Sequence, residues 1–293
     1  MKEIVIISGK GGTGKTSITA AFSYLAGEDI VVADCDVDAA DMHLLMQPDF
    51  ASSEDFYSGL LANIIPDKCT NCGLCAEICR FDAIPVVNNN YMINPLNCEG
   101  CAYCPRICPA DAIVMENQNV GKWYISTTKT GSSMVHARLG IGAENSGKLV
   151  AKVKNEARRI AEEKGKNIVL VDGSPGIGCP VVSSLSGACF VILVTEPSVS
   201  GLHDLKRVYQ LVEKFHIKAG CIINKSDLNQ QLTSEIEHYL KKKKVILLAK
   251  LPYDESFTKA MVNGQTIIEY KESNLIPIVT DSWEKIKNFA GEN

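Results

Sequence analysis

The chain has 293 residues, 46% hydrophobic and 22% charged, a balance ordinary for a folded domain and foreign to a disordered one. A formal net charge of −4 leaves no broad basic field, which argues against nucleic-acid binding through massed phosphate contacts. No stretch approaches about 18 apolar residues, and MKEIVIISGK runs straight into a glycine-rich motif, so the sequence predicts a cytoplasmic protein with neither membrane span nor cleavable leader.

The first apolar run, Ile4–Ile7, leads into SGKGGTGKTS and then the helix-compatible ITAAFSYLAG. Gly9, Gly14, Lys15 and Thr16 fit the pattern G-x-x-x-x-G-K-[ST], and strand, glycine loop and helix follow in the order a phosphate loop requires. Glycines let backbone N–H groups curl around phosphate oxygens, while the helix N-terminus adds partial positive charge. Lys15 suits the β/γ charge and Thr16 can offer its hydroxyl to Mg²⁺. Gly9, Lys10, Gly11, Gly12, Thr13, Gly14, Lys15, Thr16 and Ser17 are therefore the expected contacts of a nucleotide. A glycine-rich turn is the plainer alternative, but lysine, threonine and context all favour the phosphate site.

The second apolar run, Ile30–Ala33, closes on Asp34, Asp36 and Asp38. Carboxylates at the carboxyl edge of a parallel sheet lie where ligands bind in open α/β folds. Asp34 reads as a buttress of the phosphate loop, and Asp38 is open to service as the N-cap of the next helix.

Between about Asn63 and Glu116 the composition shifts to Cys, Pro, Asn and short apolar segments, the mark of an insertion. Eight of the twelve cysteines lie here, as Cys69, Cys72, Cys75, Cys79 and again as Cys98, Cys101, Cys104, Cys108. Each array reads C-x₂-C-x₂-C-x₃-C and is followed by RFDAI or PADAI, so the segment is an internal duplication. A reducing compartment argues for metal over disulfides. The spacing is that of bacterial two-cluster ferredoxins, in which the fourth cysteine of each run ligates the other cluster. One [4Fe-4S] cluster is thus expected on Cys69, Cys72, Cys75 and Cys108, the other on Cys98, Cys101, Cys104 and Cys79. Zinc is the alternative, yet it usually takes two pairs separated by a wide gap, whereas three cysteines at two-residue spacing suit three corners of a cubane. Pro109 fits the ferredoxin pattern, and Arg80 stands where the first array departs from it.

Beyond the insert, the amphipathic KLVAKVKNEARRIAEEKG precedes Ile168–Val171, an apolar run ending on Asp172 like a Walker B strand, whose carboxylate holds a Mg²⁺-bound water. Phe190–Val194, Cys221–Ile223 and Val245–Leu248 extend the series, the last two leading to Asn224, Lys225 and to Pro252, Asp254. Asn224 alone is equally a turn residue. Cys35, Cys189 and Cys221 sit in or at the ends of apolar runs and read as small buried thiols. Lys241 to Lys244 close a helix as a solvated face, and Trp283, Ile286 and Phe289 give the final segment a face that packs on the body of the protein. The alternation predicts an α/β fold: a P-loop parallel sheet flanked by helices, in two parts (1–62 and 119–293), with a bacterial-type 2[4Fe-4S] ferredoxin-like domain inserted at 63–118.

With its second lysine at Lys10, K-G-G-x-G-K-T resembles the deviant phosphate loop of the MinD/Mrp/ParA-type ATPases and the nitrogenase iron protein. The whole chain resembles MinD/Mrp-type ATPases with an inserted ferredoxin domain. That resemblance implies slow, Mg²⁺-dependent ATP hydrolysis stimulated by a dimer or partner, with Lys10 reaching the other subunit's nucleotide. It also implies a homodimer, or a heterodimer with a related ATPase. Asp36 becomes the first-switch residue that orients the attacking water or holds the magnesium shell, with Thr16 and Asp172 as further magnesium ligands. Asn224, Lys225 and Pro252 belong to loops that hold the adenine ring. Cys179 lies seven residues after Asp172, the offset of a cluster ligand in the iron protein; a bridging site and a structural role both remain open. GAENSGKLV, from Gly142 to Val150, also resembles that group; Ser146 and Lys148 face a nucleotide or partner, or Ser146 caps a helix starting near Lys148. The implied function is ATP-gated electron delivery through two [4Fe-4S] clusters, in metal–sulfur cofactor assembly or to a redox partner. The alternatives are a carrier that transfers clusters to an apo-metalloprotein and a MinD-like spatial organiser. Neither nucleic acid nor membrane is an expected partner.

Overall fold

Seven strands pair parallel in one sheet because their apolar runs are covered on both faces, which removes the polar alternation of a half-exposed strand. In the computed structural model, which describes residues 1–140, 142 and 145–291, the chain order is β1 (Lys2–Ile7), α1 (Lys15–Ala26), β2 (Ile30–Asp34), α2 (Met42–Met46), β3 (Ser52–Ile64) and α3 (Leu74–Ile78). There follow β4 (Val86–Val87), β5 (Asn90–Tyr91), α4 (Cys104–Ile107), β6 (Ile113–Thr127), β7 (Ser133–Leu139), α5 (Ser146–Glu163) and β8 (Ile168–Asp172). The remainder is α6 (Cys179–Leu185), β9 (Phe190–Thr195), α7 (Val199–Lys214), β10 (Lys218–Ile223), α8 (Gln230–Lys243), β11 (Ile246–Lys250), α9 (Ser256–Val262) and α10 (Ile276–Gly291).

The large sheet has the order β11-β10-β9-β1-β8-β2-β7-β6-β3. Strand β1 is central: Ile4 pairs with Leu170 on one side and Phe190 on the other. Each of the six expected strands is present, within a few residues at its ends. The sequence reading missed β3, β6 and β7; β7 adds a seventh parallel strand, with Val31 opposite Ser133 and Asp34 opposite His136. No helix among the described residues is long and apolar enough to cross a membrane.

The chain divides into two compact units, one of Met1–Glu54, Trp123–Arg138 and Ser146–Asn293, the other of Asp55–Lys122 and Leu139–Asn145. The expected boundaries, after 62 and after 118, fall inside β3 and β6, which connect the units covalently.

In the first unit, α5 buries Leu149, Val150, Val153, Ala157, Ile160 and Ala161 on one stripe, as helical periodicity requires. Its one buried cation, Lys154, pairs with the Glu3 carboxylate and donates to the Ser186 carbonyl at 2.8 Å. Helix α10 places Trp283 against Phe22, with ring centroids 5.3 Å apart, and buries Ile286 completely. Trp283→Ala is expected to cost about 3–5 kcal/mol, read from urea midpoints, because a large ring leaves a cavity that the sheet cannot collapse into. A loss below about 1 kcal/mol would show that α10 is not part of the core.

Candidate functional site

The carboxyl ends of β1, β2, β8, β9 and β10 converge on the phosphate loop, and the residues at those ends supply its polar neighbours. Lys15 opens α1 after Gly14, whose φ of 90° is left-handed. A side chain at Gly14 would stand 2.5 Å from Asn224 Nδ2, and one at Gly9 would stand 2.5 Å from the Asp204 backbone, so both positions need glycine. The Lys15 ammonium, 5% exposed, lies 3.0 Å from Asp172 Oδ1 and 3.3 Å from Asp36 Oδ2. Thr16 Oγ1 donates to Asp172 Oδ2 at 2.8 Å. Thr19, which the sequence reading passed over, donates to Asp172 Oδ1 at 2.8 Å from one turn further along α1.

Three carboxylates, Asp34, Asp36 and Asp172, thus face one ammonium in a buried space. Burial opposes the charge on Lys15, but Asp172 and Asp36 outweigh it and hold the ammonium above the ordinary lysine range. Burial, followed by the charge of Asp172, raises Asp34 well above the usual carboxylate range, and burial raises Asp36 against the pull of Lys15. The surplus of negative charge suits a divalent cation. Two buried atoms, Thr13 Oγ1 and Asp34 Oδ2, have no hydrogen-bond partner within the chain, which fits a site completed by phosphate and by the water shell of a metal. Among the described residues no hydrogen bond joins Asp34 to the phosphate loop; its Oδ1 accepts from the Asp36 amide and shapes its own turn, and it acts on Lys15 through its charge. Asp38 is not an N-cap either, since α2 begins four residues later after Asp41.

At the rim of the loop, Lys10 is held within its own chain by Glu196 Oε1 at 2.6 Å and by the hydroxyls of Ser200 and Ser198 at 2.9 and 3.2 Å. Asn224 donates its amide to the Thr13 carbonyl at 2.9 Å and accepts the Lys225 N–H on its oxygen, so it braces the phosphate loop. The resemblance places Asn224 in a loop that holds the adenine ring, and these bonds leave its amide one further N–H to donate. Lys225 reaches Glu196 Oε2 at 2.9 Å and the Gly12 carbonyl at 3.3 Å. Pro252 follows β11 beside this corner, where the Ser226 N–H donates to Leu251 O at 2.8 Å and the Tyr253 N–H donates to Asp227 Oδ1 at 2.6 Å. Gly11 and Gly12 are exposed and Ser17 is half-buried on α1.

In the second unit the two cysteine runs repeat in backbone detail. Cys79 and Cys108 end α3 and α4 with the same angles, φ −71° and ψ 112°. Their sulfurs accept equivalent amides four residues on, Ala83 N–H at 3.4 Å and Ala112 N–H at 3.3 Å. Cys69, Cys72, Cys75 and Cys108 line one cavity with Ile64, Tyr91 and Ile113. Cys79, Cys98, Cys101 and Cys104 line another of about 370 Å³ with Phe81, Ile84, Ile93 and Met115. Burial raises the Cys75 thiol, and burial with neighbouring Cys98 and Cys101 pushes Cys104 up to about 11, so both are protonated at neutral pH without an electrophile to bind. Among the described residues, no group of three or more His, Cys, Asp or Glu side chains closes around a point as the ligands of a single metal ion do.

Of the other cysteines, Cys35 and Cys221 are buried and Cys189 donates to the Glu3 carbonyl. Cys179 is exposed at the start of α6, against Gly147 of α5. Helix α5 starts at Ser146, so that serine is helical and not its cap; Ala143 and Glu144 of GAENSGKLV lie outside the described residues.

Sheet order, loop and convergent carboxylates define a P-loop nucleotide-binding protein of the α/β class. The chain belongs to the CobQ/CobB/MinD/ParA nucleotide binding domain family, whose model matches residues 4–267. It is 32% identical over 290 residues to the uncharacterized protein MJ0578 of Methanocaldococcus jannaschii, covering 98% of this chain and 97% of that one. A second protein of that organism, MJ0579, is 26% identical over 281 residues, covering 93% and 94%. Among solved structures, the septum site-determining protein MinD of Pyrococcus horikoshii complexed with Mg-ADP matches with a TM-score of 0.59 at 21% identity, over 99% of this chain and 97% of that one. MinD of the Aquifex aeolicus MinC:MinD complex matches with a TM-score of 0.60 at 16% identity, over 98% and 96%. At these identities the two structures establish the fold.

Proposed function

We propose that the chain is a Mg²⁺-dependent ATPase in which nucleotide state gates electron transfer through two [4Fe-4S] clusters carried by the 63–118 insert, serving metal–sulfur cofactor assembly or reduction of a partner. The observation that carries this reading is the exchange of the fourth cysteine: Cys108 shares a cavity with the first trio and Cys79 with the second. Bound clusters would supply one-electron chemistry.

The residues of the nucleotide site have separable tasks. Lys15 neutralises phosphate charge, and its present partners Asp172 and Asp36, with Thr16, would hold Mg²⁺, whose charge stabilises the transferring phosphoryl group. Asp36, the more exposed of the two acids, is placed to orient water. Lys10 serves a neighbouring subunit only after leaving Glu196. Two relatives in one organism support pairing with a related ATPase as an alternative to a homodimer. A MinD-like spatial organiser is the other reading, in keeping with the MinD structures that share the fold, although Trp283 and Ile286 of α10 are spent on the core.

The test is metal and sulfide analysis of anaerobically purified protein, with about eight irons and eight labile sulfides per chain expected. Stoichiometric zinc without sulfide would reject the redox reading. With ATP, turnover should rise with protein concentration and should lose that dependence in Lys10→Ala while ATP binding persists. Incubation with an apo-protein separates the two classes of iron–sulfur function: clusters that stay bound while the partner is reduced support electron transfer, and clusters that move support a carrier.

A further inference from the structure

Glu196 touches neither nucleotide nor magnesium in the roles assigned above, yet it is the shared counter-ion of two lysines that flank the phosphate loop. Its Oε1 takes Lys10 at 2.6 Å and its Oε2 takes Lys225 at 2.9 Å. Lys10 belongs to the loop, and Lys225 is tied to it through the Gly12 carbonyl. The carboxylate is 18% exposed and the lysines 27% and 30%, so the trio is partly shielded but open to an arriving anion. Ser198 and Ser200, at the start of α7, complete the seat of Lys10. The lysines pull Glu196 below the usual carboxylate range against its burial, and the group stays ionised at neutral pH.

A lysine held in this way is not available to another anion until the pair is broken. Partly exposed ion pairs are weak, and charge-assisted bonds to phosphate can replace them. The competition becomes more favourable as the ligand carries more charge. We propose that Glu196 is a positioning residue that damps the site's discrimination by phosphate number, parking Lys10 and Lys225 at the rim so that each added phosphate gains less affinity than two free lysines would give it. This rests on the phosphate loop binding nucleotide. Removing the carboxylate charge while keeping its shape frees both lysines in advance, so the gain in affinity should be graded by ligand charge. A merely structural glutamate would change all nucleotides alike.

The experiment measures dissociation constants of Mg-ATP, Mg-ADP and AMP for wild type, Glu196→Gln and Glu196→Asp by titration calorimetry, at low salt and at about 0.5 M salt. Glu196→Gln is expected to bind ATP about threefold to tenfold more tightly, ADP by a smaller factor and AMP unchanged, with the gain shrinking at high salt. Glu196→Asp, which keeps the charge, should keep the wild-type ranking. In a Lys10→Ala background the effect of Glu196→Gln on ATP should fall markedly, because the two residues act through one contact. Equal changes for all three nucleotides, no change, or weaker ATP binding in Glu196→Gln would overturn the proposal while leaving the nucleotide site intact. A wild type that binds none of the three would overturn both.

Discussion

Lys15→Ala is expected to abolish nucleotide binding and also to destabilise the nucleotide-free protein by about 3–5 kcal/mol near pH 7, the usual penalty when a buried ion pair loses one partner. Lys15 is the cation that lies against Asp172 and Asp36 in this pocket, so the substitution leaves Asp34, Asp36 and Asp172 facing each other without it. The penalty should depend on pH, and its sign follows from proton linkage. Burial already raises Asp34 and Asp36, and Lys15 is the group that pulls both back down. Without it their folded-state values climb further. A carboxyl whose folded value lies above its unfolded value binds protons more readily when folded, so it lowers stability as pH rises through those values and ceases to do so as pH falls. Urea unfolding at about pH 8 and about pH 5 should therefore show a larger deficit, relative to wild type, at the higher pH. An equal deficit at both would mean that the lost stability comes from packing of the lysine stem and not from the stranded carboxylates.

The nucleotide site was legible because its chemistry lies in short contiguous motifs at the ends of wholly apolar strands, where the periodic signal and the site signal coincide. Asp34 and Asp172 are paired in register across β2 and β8, an adjacency that follows from the parallel sheet once both strands are recognised. Less legible were contacts made between loops distant in sequence. Glu196 meets Lys10 and Lys225 only because β9 lies beside both β1 and β10, and nothing local in TEPS distinguishes it from a surface acid. The double engagement of Asn224 has the same origin: its strand-end position was clear, but its partner Thr13 is set by the close approach that Gly14 permits. Strands β3 and β6 were missed because much of each is exposed, with runs such as SSED and ENQN in place of apolar alternation. Strand β7 was missed for another reason: SMVHARL reads as an ordinary mixed segment, although five of its residues are buried, His136 among them. Burial lowers that histidine to about 4, and it is neutral where it meets Ser126 at 2.9 Å.

Removal of single cysteines should separate the two cluster sites by an interaction that no count of totals reveals. If Cys108 completes the first set, Cys108→Ala should reduce the iron of anaerobically prepared protein from about eight to about four per chain, and adding Cys72→Ala should remove little more. If Cys79 completes the second set, Cys79→Ala should likewise leave about four, but adding Cys72→Ala should remove nearly all. Pairing within each run reverses the pattern: the Cys72, Cys79 double variant would keep four irons and the Cys72, Cys108 double variant would keep none. The cavity linings are in keeping with the crossed arrangement. Each fourth cysteine stands just past a short helix, in extended conformation, and its sulfur receives the amide that begins the next apolar turn, at Ala83 or Ala112. Those turns carry Ile84 and Ile113 into one small core shared by both runs, so each fourth thiol is delivered across that core to the opposite trio. Iron and sulfide content, with integrated spin signals of the reduced protein, give the readout. A Cys72, Cys79 double variant that retains four irons would refute the crossed pairing.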